Sequence, residues 1–414
     1  MTDSVSASKC RGCGNTLTTT FVDLGVMPLV NIYLPLGSET AQERFPLHAR
    51  VCDNCLLVQI EDVVPPDALF SDYAYFSSYS ESWLAHAERF AREAQRDFGL
   101  DSSSMVVEVA SNDGYLLKHF MAAGIPVVGV EPASNIAREA NDAGIPTVNR
   151  FFGREAAGDL VGEGKLADLV VANNVMAHVP DLHDFVDGLA TVLKPGGVAS
   201  AEFTHVLRIL DDVQFDTIYH EHFSYFSLYA LEPVLEAHGL EVFDVVELPT
   251  HGGSLRVLAQ LADGPKRPAG RGLEAVRAKE KQARLDALET YTTFADQVER
   301  RLESVRSFLS KTREEAKTVV GYAAASKGTI LLNAAGITSD EVAYVVDLNP
   351  HKQDRFLPGT RIPIYAPAKI RETRLDFLLL LAWNLTDEIM SQMAYIREFG
   401  GQFVTPIPDV RVIG

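Results

Sequence analysis

Residues 105–117 read MVVEVASNDGYLL, and this stretch decides the fold of the middle of the chain. An apolar run interrupted only by Glu108 forms a buried strand, a polar turn containing Gly114 follows, and Tyr-Leu-Leu opens a helix. About 20 residues later, PVVGVEP ends a second strand on Glu131; that spacing suits a nucleoside cofactor whose polar end sits near the first turn and whose ribose hydroxyls meet the carboxylate. ASNDGY holds a single glycine where a pyrophosphate needs two or three for close approach. The pattern therefore favours a cofactor without a pyrophosphate.

Working outward, the runs ADLVVANN and GGVASAEF continue the alternation of apolar strands with helix-like segments such as LLKHFMAAG and NIAREANDAG. This predicts a mostly parallel sheet covered by helices over residues 71–262. Residues 263–318 are charged, with apolar positions at helical spacing, and read as a helical linker. Strand-like runs resume with TVVGYAA, VAYVVDLN, FLLLLAW and QFVTPIP, so residues 319–414 form a second α/β domain. Residues 1–70 carry all four cysteines and short β-like runs, the texture of a small metal-stapled module.

A chain of 414 residues has length for two or three domains at roughly 150 residues each. With 56 acidic residues against 37 Lys plus Arg and a net charge of -19, it opposes attraction to a nucleic-acid backbone or an anionic membrane. Local basic clusters remain able to hold a small anion such as a diphosphate. Neither an apolar run of the roughly 20 residues a membrane span needs nor a secretory signal is present. The expectation is a cytoplasmic protein, a monomer or small homo-oligomer, with no nucleic-acid or membrane partner.

Cys10 and Cys13 form one C-x-x-C and Cys52 and Cys55 another. Two adjacent thiolates per knuckle let both pairs close a tetrahedral sulfur site, and Gly12 and Gly14 favour the tight turn. Zinc is the best metal, and four sulfurs leave no open position, which makes it structural. Disulfides or C-x-x-C redox chemistry are the alternative.

FDTIYHEHFSYFS, residues 215–227, gathers Tyr219, His220, Glu221, His222 and Tyr225. H-E-H lacks the i, i+4 histidine spacing of the zinc peptidases, which leaves acid-base catalysis ahead of a metal site or an aromatic structural segment. A histidine suits a base, because its reference pKa of about 6.5 leaves much of it neutral in the cell and a carboxylate stabilises the imidazolium. In THGGSLRV, Gly252 and Gly253 permit close approach of a ligand near His251, and Arg256 can pair with an anion, an ordinary hairpin turn being the alternative. Further on, AAASKGTILLN joins a strand to a helix, a turn that presents backbone N–H groups and Lys327 to a phosphate; Asp347, Asn349 and Lys352 follow the next strand.

VVEVASNDGYLL, VVGVEPASNIA, ADLVVANNVMAHVPD and FDTIYHEHFSYFS together resemble the sugar C-methyltransferases of deoxysugar biosynthesis. The resemblance extends to the cysteine knuckles, DYAYFSSYSESW, THGGSLRV, NPHKQDRFLPGTRIPI and AWNLTDEI. It implies an S-adenosylmethionine-binding class I methyltransferase domain of Rossmann-like α/β fold, a zinc-binding N-terminal domain and a second Rossmann-like domain that binds a nucleotide sugar. Glu108, Ser111, Asn112 and Gly114 would line the methionine end, Glu131 the ribose, and Asn173 and Asn174 the region after the fourth strand. His222 becomes the base candidate, with Glu221 and Tyr219 in support, while Tyr75 and Tyr79 would donate hydrogen bonds to an enolate oxygen. His251, Gly252, Arg256, Lys327, Asp347 and Lys352 are the substrate-binding candidates. His178, which opens a helix before a Val-Pro pair, stays outside the catalytic set.

The substrate this implies is a nucleotide-linked 4-keto deoxysugar, TDP-linked and methylated at carbon 3 through a base-generated enolate. O- or N-methylation of the same kind of sugar is the nearest alternative, ahead of a nicotinamide-dependent sugar oxidoreductase and a non-enzymatic zinc-knuckle adaptor. The turn after Tyr322 departs from the family's glycine-containing form, with Ala323 after the tyrosine and Ser326 before the lysine.

Overall fold

The strand Val106–Val109 is buried at all four positions, as a strand covered on both faces must be. It lies in a seven-stranded sheet whose order, named by position, is Leu240–Leu248, Ser254–Leu261, Leu193–Thr204, Ala167–Asn173, Val106–Val109, Val127–Val130, Thr147–Val148. Ser254–Leu261 runs antiparallel to both of its neighbours, and the remaining pairs are parallel. The chain order reverses beside Val106–Val109, which leaves a crevice at the carboxyl ends of Val106–Val109 and Ala167–Asn173, where open α/β sheets bind ligands. This is the mostly parallel, helix-covered sheet that the alternation of strands and helices predicts, in the Rossmann-like form that the resemblance implies.

In this computed structural model, residues 8–61, 63–65, 69, 77–79 and 81–414 are described. The chain divides into two units, each built from separated pieces. The first takes Met1–Thr18, Cys52–Val206 and Phe223–Ala287; the second takes Thr19–Val51, Leu207–His222 and Leu288–Gly414.

The first unit holds the seven-stranded sheet, the four cysteines and the helix Arg271–Gln282. That helix buries Leu273, Val276 and Glu280. Glu280 accepts from a His205 ring nitrogen at 2.8 Å and from the Leu228 and Tyr229 amides at 2.6 and 2.9 Å, so a buried carboxylate caps the helix Leu228–Glu236.

The second unit contains an eight-stranded sheet in the order Arg411–Ile413, Gln402–Thr405, Phe377–Leu380, Val319–Tyr322, Val345–Val346, Pro363–Tyr365, Arg355–Phe356, Leu34–Pro35. Its five middle strands, from Gln402–Thr405 to Pro363–Tyr365, are parallel. Here the order reverses between Val319–Tyr322 and Phe377–Leu380, which puts a second crevice at residues following Tyr322 and Leu380. The helix Phe294–Glu314 buries Phe294, Val298, Leu302, Val305 and Leu309, one stripe at helical spacing. Phe294 stacks on Phe21 of the strand Thr19–Pro28 with ring centroids 4.3 Å apart.

Candidate active site and metal centre

At the end of Val106–Val109 the backbone turns through left-handed conformations at Ala110, Asn112 and Gly114, with φ of 53°, 49° and 79°. At the φ of Gly114 any other residue would be strained, and its Cβ, 2.1 Å from Ile145 Cδ1, would also displace that side chain. Strain of this kind persists where surrounding contacts enforce it. Here they do: Glu131 Oε2 accepts from the Asn112 amide at 3.0 Å, and Oε1 from the Ala133 amide at 2.9 Å. Each carboxylate oxygen keeps lone-pair capacity for a hydroxyl. Burial raises the Glu131 pKa, and the two amides partly oppose it.

Around this turn Glu108 Oε2, Ser111 Oγ, Asn173 Oδ1 and Asn174 Nδ2 are buried without a hydrogen-bond partner among the described residues. Buried polar atoms are normally paired, so this cluster fits a polar ligand that supplies the missing partners. Burial holds Glu108 well above the usual carboxylate range, with a hydrogen bond from Tyr115 opposing; a cationic group brought against it would restore the charge. The Ser77 amide donates to Asn112 Oδ1 at 2.9 Å and the Ser78 amide to Asp113 Oδ2 at 3.2 Å. These bonds join the turn Ser77–Tyr79, which contains Tyr79, to the turn that follows Val109. Tyr75 lies outside the described residues.

The four cysteine sulfurs all lie within 4.8 Å of one another. Cys10 and Cys55 are 3.5 Å apart, as are Cys13 and Cys52, too far for disulfides, which need about 2.05 Å. A tetrahedral zinc with bonds of about 2.3 Å fits the cluster. The Gln59 amide donates to Cys10 Sγ at 3.1 Å, while its oxygen accepts the Arg11 amide at 2.9 Å. The Cys55 thiol and the Gln59 amide together outweigh burial and lower the Cys10 pKa. Arg11 Nη1 reaches the carbonyls of Ile60 and Phe223 at 2.7 and 3.1 Å.

Arg256 is buried, and its Nη2 pairs with Glu202 Oε2 at 2.8 Å. His86 and Thr250 also bond Glu202, at 3.0 and 2.8 Å. Burial raises the Glu202 pKa, but these partners outweigh it and bring the group to about 2. The arginine charge is thus balanced inside the unit. Beside it, His251 adopts φ 54° ahead of Gly252 and Gly253 at 94° and 117°, and its ring lies 5.1 Å from that of Trp83. Burial, then His251, lowers His178 to about 4, which keeps it neutral.

In the second unit, His222 Nδ1 lies 2.8 Å from the Thr217 carbonyl oxygen. A carbonyl only accepts, so Nδ1 carries the proton and Nε2 the lone pair. The Tyr219 ring packs on His222 with centroids 3.9 Å apart. Glu221 is buried, and Asn31 Nδ2 donates to its Oε1 at 2.7 Å. His220 Nε2 donates to the Pro46 carbonyl at 3.1 Å, and burial lowers its pKa.

At the second crevice, Lys327 Nζ sits 4.2 Å from the Trp383 ring centroid, and Trp383 Nε1 donates to buried Asp216 at 2.7 Å. Burial lowers Lys327 to about 8 against the pull of Asp216, and raises Asp216 to about 6 against the pull of Lys327. Asp347 accepts the amides of Ala324 and Asn349, both at 2.8 Å, and Lys352 donates to the Ala324 carbonyl at 2.9 Å. Ala323 adopts φ 74°, the region glycine favours, at the position where the resemblance leads one to expect glycine.

Three family models match the chain in succession: "Putative zinc binding domain" over residues 10–70, "Methyltransferase domain" over 83–245 and "C-methyltransferase C-terminal domain" over 249–408. The C-methyltransferase NovU of Streptomyces niveus is 38% identical over 411 residues, covering 98% of this chain and 96% of that protein. The chain belongs to this C-methyltransferase family. A ubiquinone biosynthesis O-methyltransferase of Methylobacterium nodulans is 31% identical over 113 residues, 26% of this chain and 44% of that protein. The solved S-adenosylmethionine-dependent methyltransferase of Clostridium acetobutylicum is 13% identical and covers 44% of this chain and 92% of its own, with a TM-score of 0.35.

The C-methyltransferase is thus an S-adenosylmethionine-dependent enzyme with a four-cysteine zinc module. Its first unit brings together Glu108, Ser111, Asn112, Gly114, Glu131, Asn173 and Asn174, and holds His251, Gly252 and Arg256. Tyr219, Glu221, His222, Lys327, Asp347 and Lys352 belong to the second unit. Four groups at these sites carried no sequence signal: the Thr217 carbonyl, Asn31, Gln59, and the pairing of Asp216 with Trp383. Among the described residues, no helix is long and apolar enough to cross a membrane.

Proposed function

We propose that this C-methyltransferase methylates carbon 3 of a TDP-linked 4-keto deoxysugar in the cytoplasm, with His222 as the base that removes the proton next to the ketone. The observation that carries the reading is the hydrogen bond from His222 Nδ1 to the Thr217 carbonyl. It fixes the tautomer in which Nε2 can take a proton, and a ring held in place loses little entropy when it acts. Buried Glu221, one residue away, favours the positive charge that develops on the imidazole, and the Tyr219 ring fixes its plane.

S-adenosylmethionine, when bound, supplies an electrophilic methyl on a sulfonium. Glu131 holds the ribose hydroxyls, Glu108 and Ser111 face the charged methionine end, and Asn112, Gly114, Asn173 and Asn174 shape the rest of the pocket. Tyr75 and Tyr79 donate to the enolate oxygen, a contact that strengthens as charge builds there. Lys327, near the N-terminus of the helix Ser326–Ala335, meets the sugar nucleotide's phosphates, with Asp347 and Lys352 shaping the adjoining turn. His251 and Gly252 line the approach to the sugar.

The test is incubation with a TDP-4-keto deoxysugar and methyl-labelled cofactor, with the product read by carbon NMR. A new methyl bonded to the carbon next to the ketone is expected. A methyl on oxygen or nitrogen, or no turnover with any nucleotide 4-ketosugar, overturns the reading.

A further inference from the structure

We propose that Asn31 is a positioning residue for the reaction, acting through Glu221; the inference rests on the reading of His222 and Glu221 given above. Glu221 is only 3% exposed, and a buried carboxylate requires hydrogen-bond partners to remain charged. Asn31 Nδ2 provides one at 2.7 Å, from a residue 190 positions away in sequence.

The loop that presents Asn31 is anchored on both sides. Before it, the strand Thr19–Pro28 is fixed by the stack of Phe21 on Phe294. After it, the Tyr33 hydroxyl donates to the Ala324 carbonyl at 2.9 Å, and Arg355 Nη1 donates to the Tyr33 carbonyl at 3.2 Å. The chain on both sides of Asn31 is therefore held, and from it the Asn31 amide donates to one oxygen of the Glu221 carboxylate. The adjoining His220 is tied to the Pro46 carbonyl, so two residues of the catalytic segment are pinned to residues 31–46.

The residue type matters. A lysine or arginine at position 31 would orient the carboxylate but neutralise it. A neutral amide orients Glu221 without itself neutralising the carboxylate, which then favours an imidazolium at His222. The role is distinct from general packing, because it passes through one hydrogen bond to one oxygen.

The experiment is a double-mutant cycle on the full-length, zinc-loaded enzyme with Asn31→Asp, Glu221→Gln and their combination. Asn31→Asp is nearly isosteric but replaces the donor with a like charge. It should lower kcat by about 10- to 100-fold, the range typical of outer partners that orient a reacting group, with KM for S-adenosylmethionine nearly unchanged; the like charge beside buried Glu221 also lowers Tm, so kcat is read well below the transition of every variant. In the Glu221→Gln background the same change should add less than about threefold, because its effect passes through the missing carboxylate. Full additivity of the two losses, or an Asn31→Asp enzyme with normal kcat, overturns the positioning role while leaving Glu221 in place. A Glu221→Gln enzyme of normal kcat overturns the role of Glu221 and the role of Asn31 with it.

Discussion

His222 and Thr217 are joined by a hydrogen bond of 2.8 Å from the imidazole Nδ1 to the backbone carbonyl oxygen. The carbonyl thus does the orienting work that a carboxylate does in many acid-base pairs, and in the proposed reaction Glu221 acts through its charge. Replacing His222 with Ala or Asn should leave both ligands bound and lower the rate by roughly 10²- to 10⁴-fold. Loss of hydrogen-deuterium exchange at the carbon next to the ketone should accompany it, because washout needs deprotonation but no methyl transfer. If exchange stays near normal while methyl transfer collapses, the base is another group.

Glu131 accepts two backbone amides while also facing the crevice. Its replacement by Ala should weaken S-adenosylmethionine binding by roughly 1.5 to 3 kcal/mol, the worth of hydrogen bonds to a charged group. Calorimetry is the measurement, and unchanged affinity would remove Glu131 from the ribose role.

Much of the fold was legible because it is written in local pattern. Val106–Val109 and Val127–Val130 are buried at every position, so their apolar runs announce interior parallel strands. The cysteines were legible because C-x-x-C is a local geometry. What was hidden depends on contacts remote in sequence: Asn31 with Glu221, or Trp383 with Asp216, 167 positions apart. The Thr217 carbonyl carries no side-chain signal at all. Arg256 looks like an anion-binding arginine in THGGSLRV, and only the fold reveals Glu202 beside it.

Zinc should be present at one ion per chain. Cys52 is fully buried, so Cys52→Ser should lower soluble yield and Tm. Gln59→Leu, which removes the amide that donates to Cys10, should cut zinc affinity by about 10- to 100-fold. Elemental analysis and chelator competition read both effects, and freshly purified protein without zinc would contradict the assignment.

Glu202 makes stability depend on acid. Its pKa of about 2 lies below the ordinary 4.5, so its contribution is complete above pH 4.5 and is lost as pH falls toward 2. The loss amounts to roughly 3 kcal/mol. Glu202→Gln should cost about 3 to 5 kcal/mol at pH 7, because it leaves the Arg256 charge buried without its partner, and should flatten the acid limb. Tm measured from pH 7 to pH 2.5 distinguishes the two curves; parallel curves would show that other carboxylates control acid unfolding.

On the proposed reading, Lys327 sets an alkaline limit on substrate binding. Burial lowers its pKa to about 8, so the ammonium proposed to meet the phosphates is present below that pH and disappears above it. KM for the nucleotide sugar should be flat from pH 6 to 7.5, then climb toward about tenfold per pH unit up to pH 9, as one required proton is lost. S-adenosylmethionine affinity should not follow the same curve. Lys327→Met should raise KM throughout and abolish the climb, because the titrating group is gone. Its indole neighbour Trp383 donates to Asp216 through a hydrogen bond that does not involve Lys327, so the turn after Leu380 should survive the change. A KM that stays flat through pH 8 in the unaltered enzyme, or one that climbs equally in Lys327→Met, would assign phosphate recognition to another group.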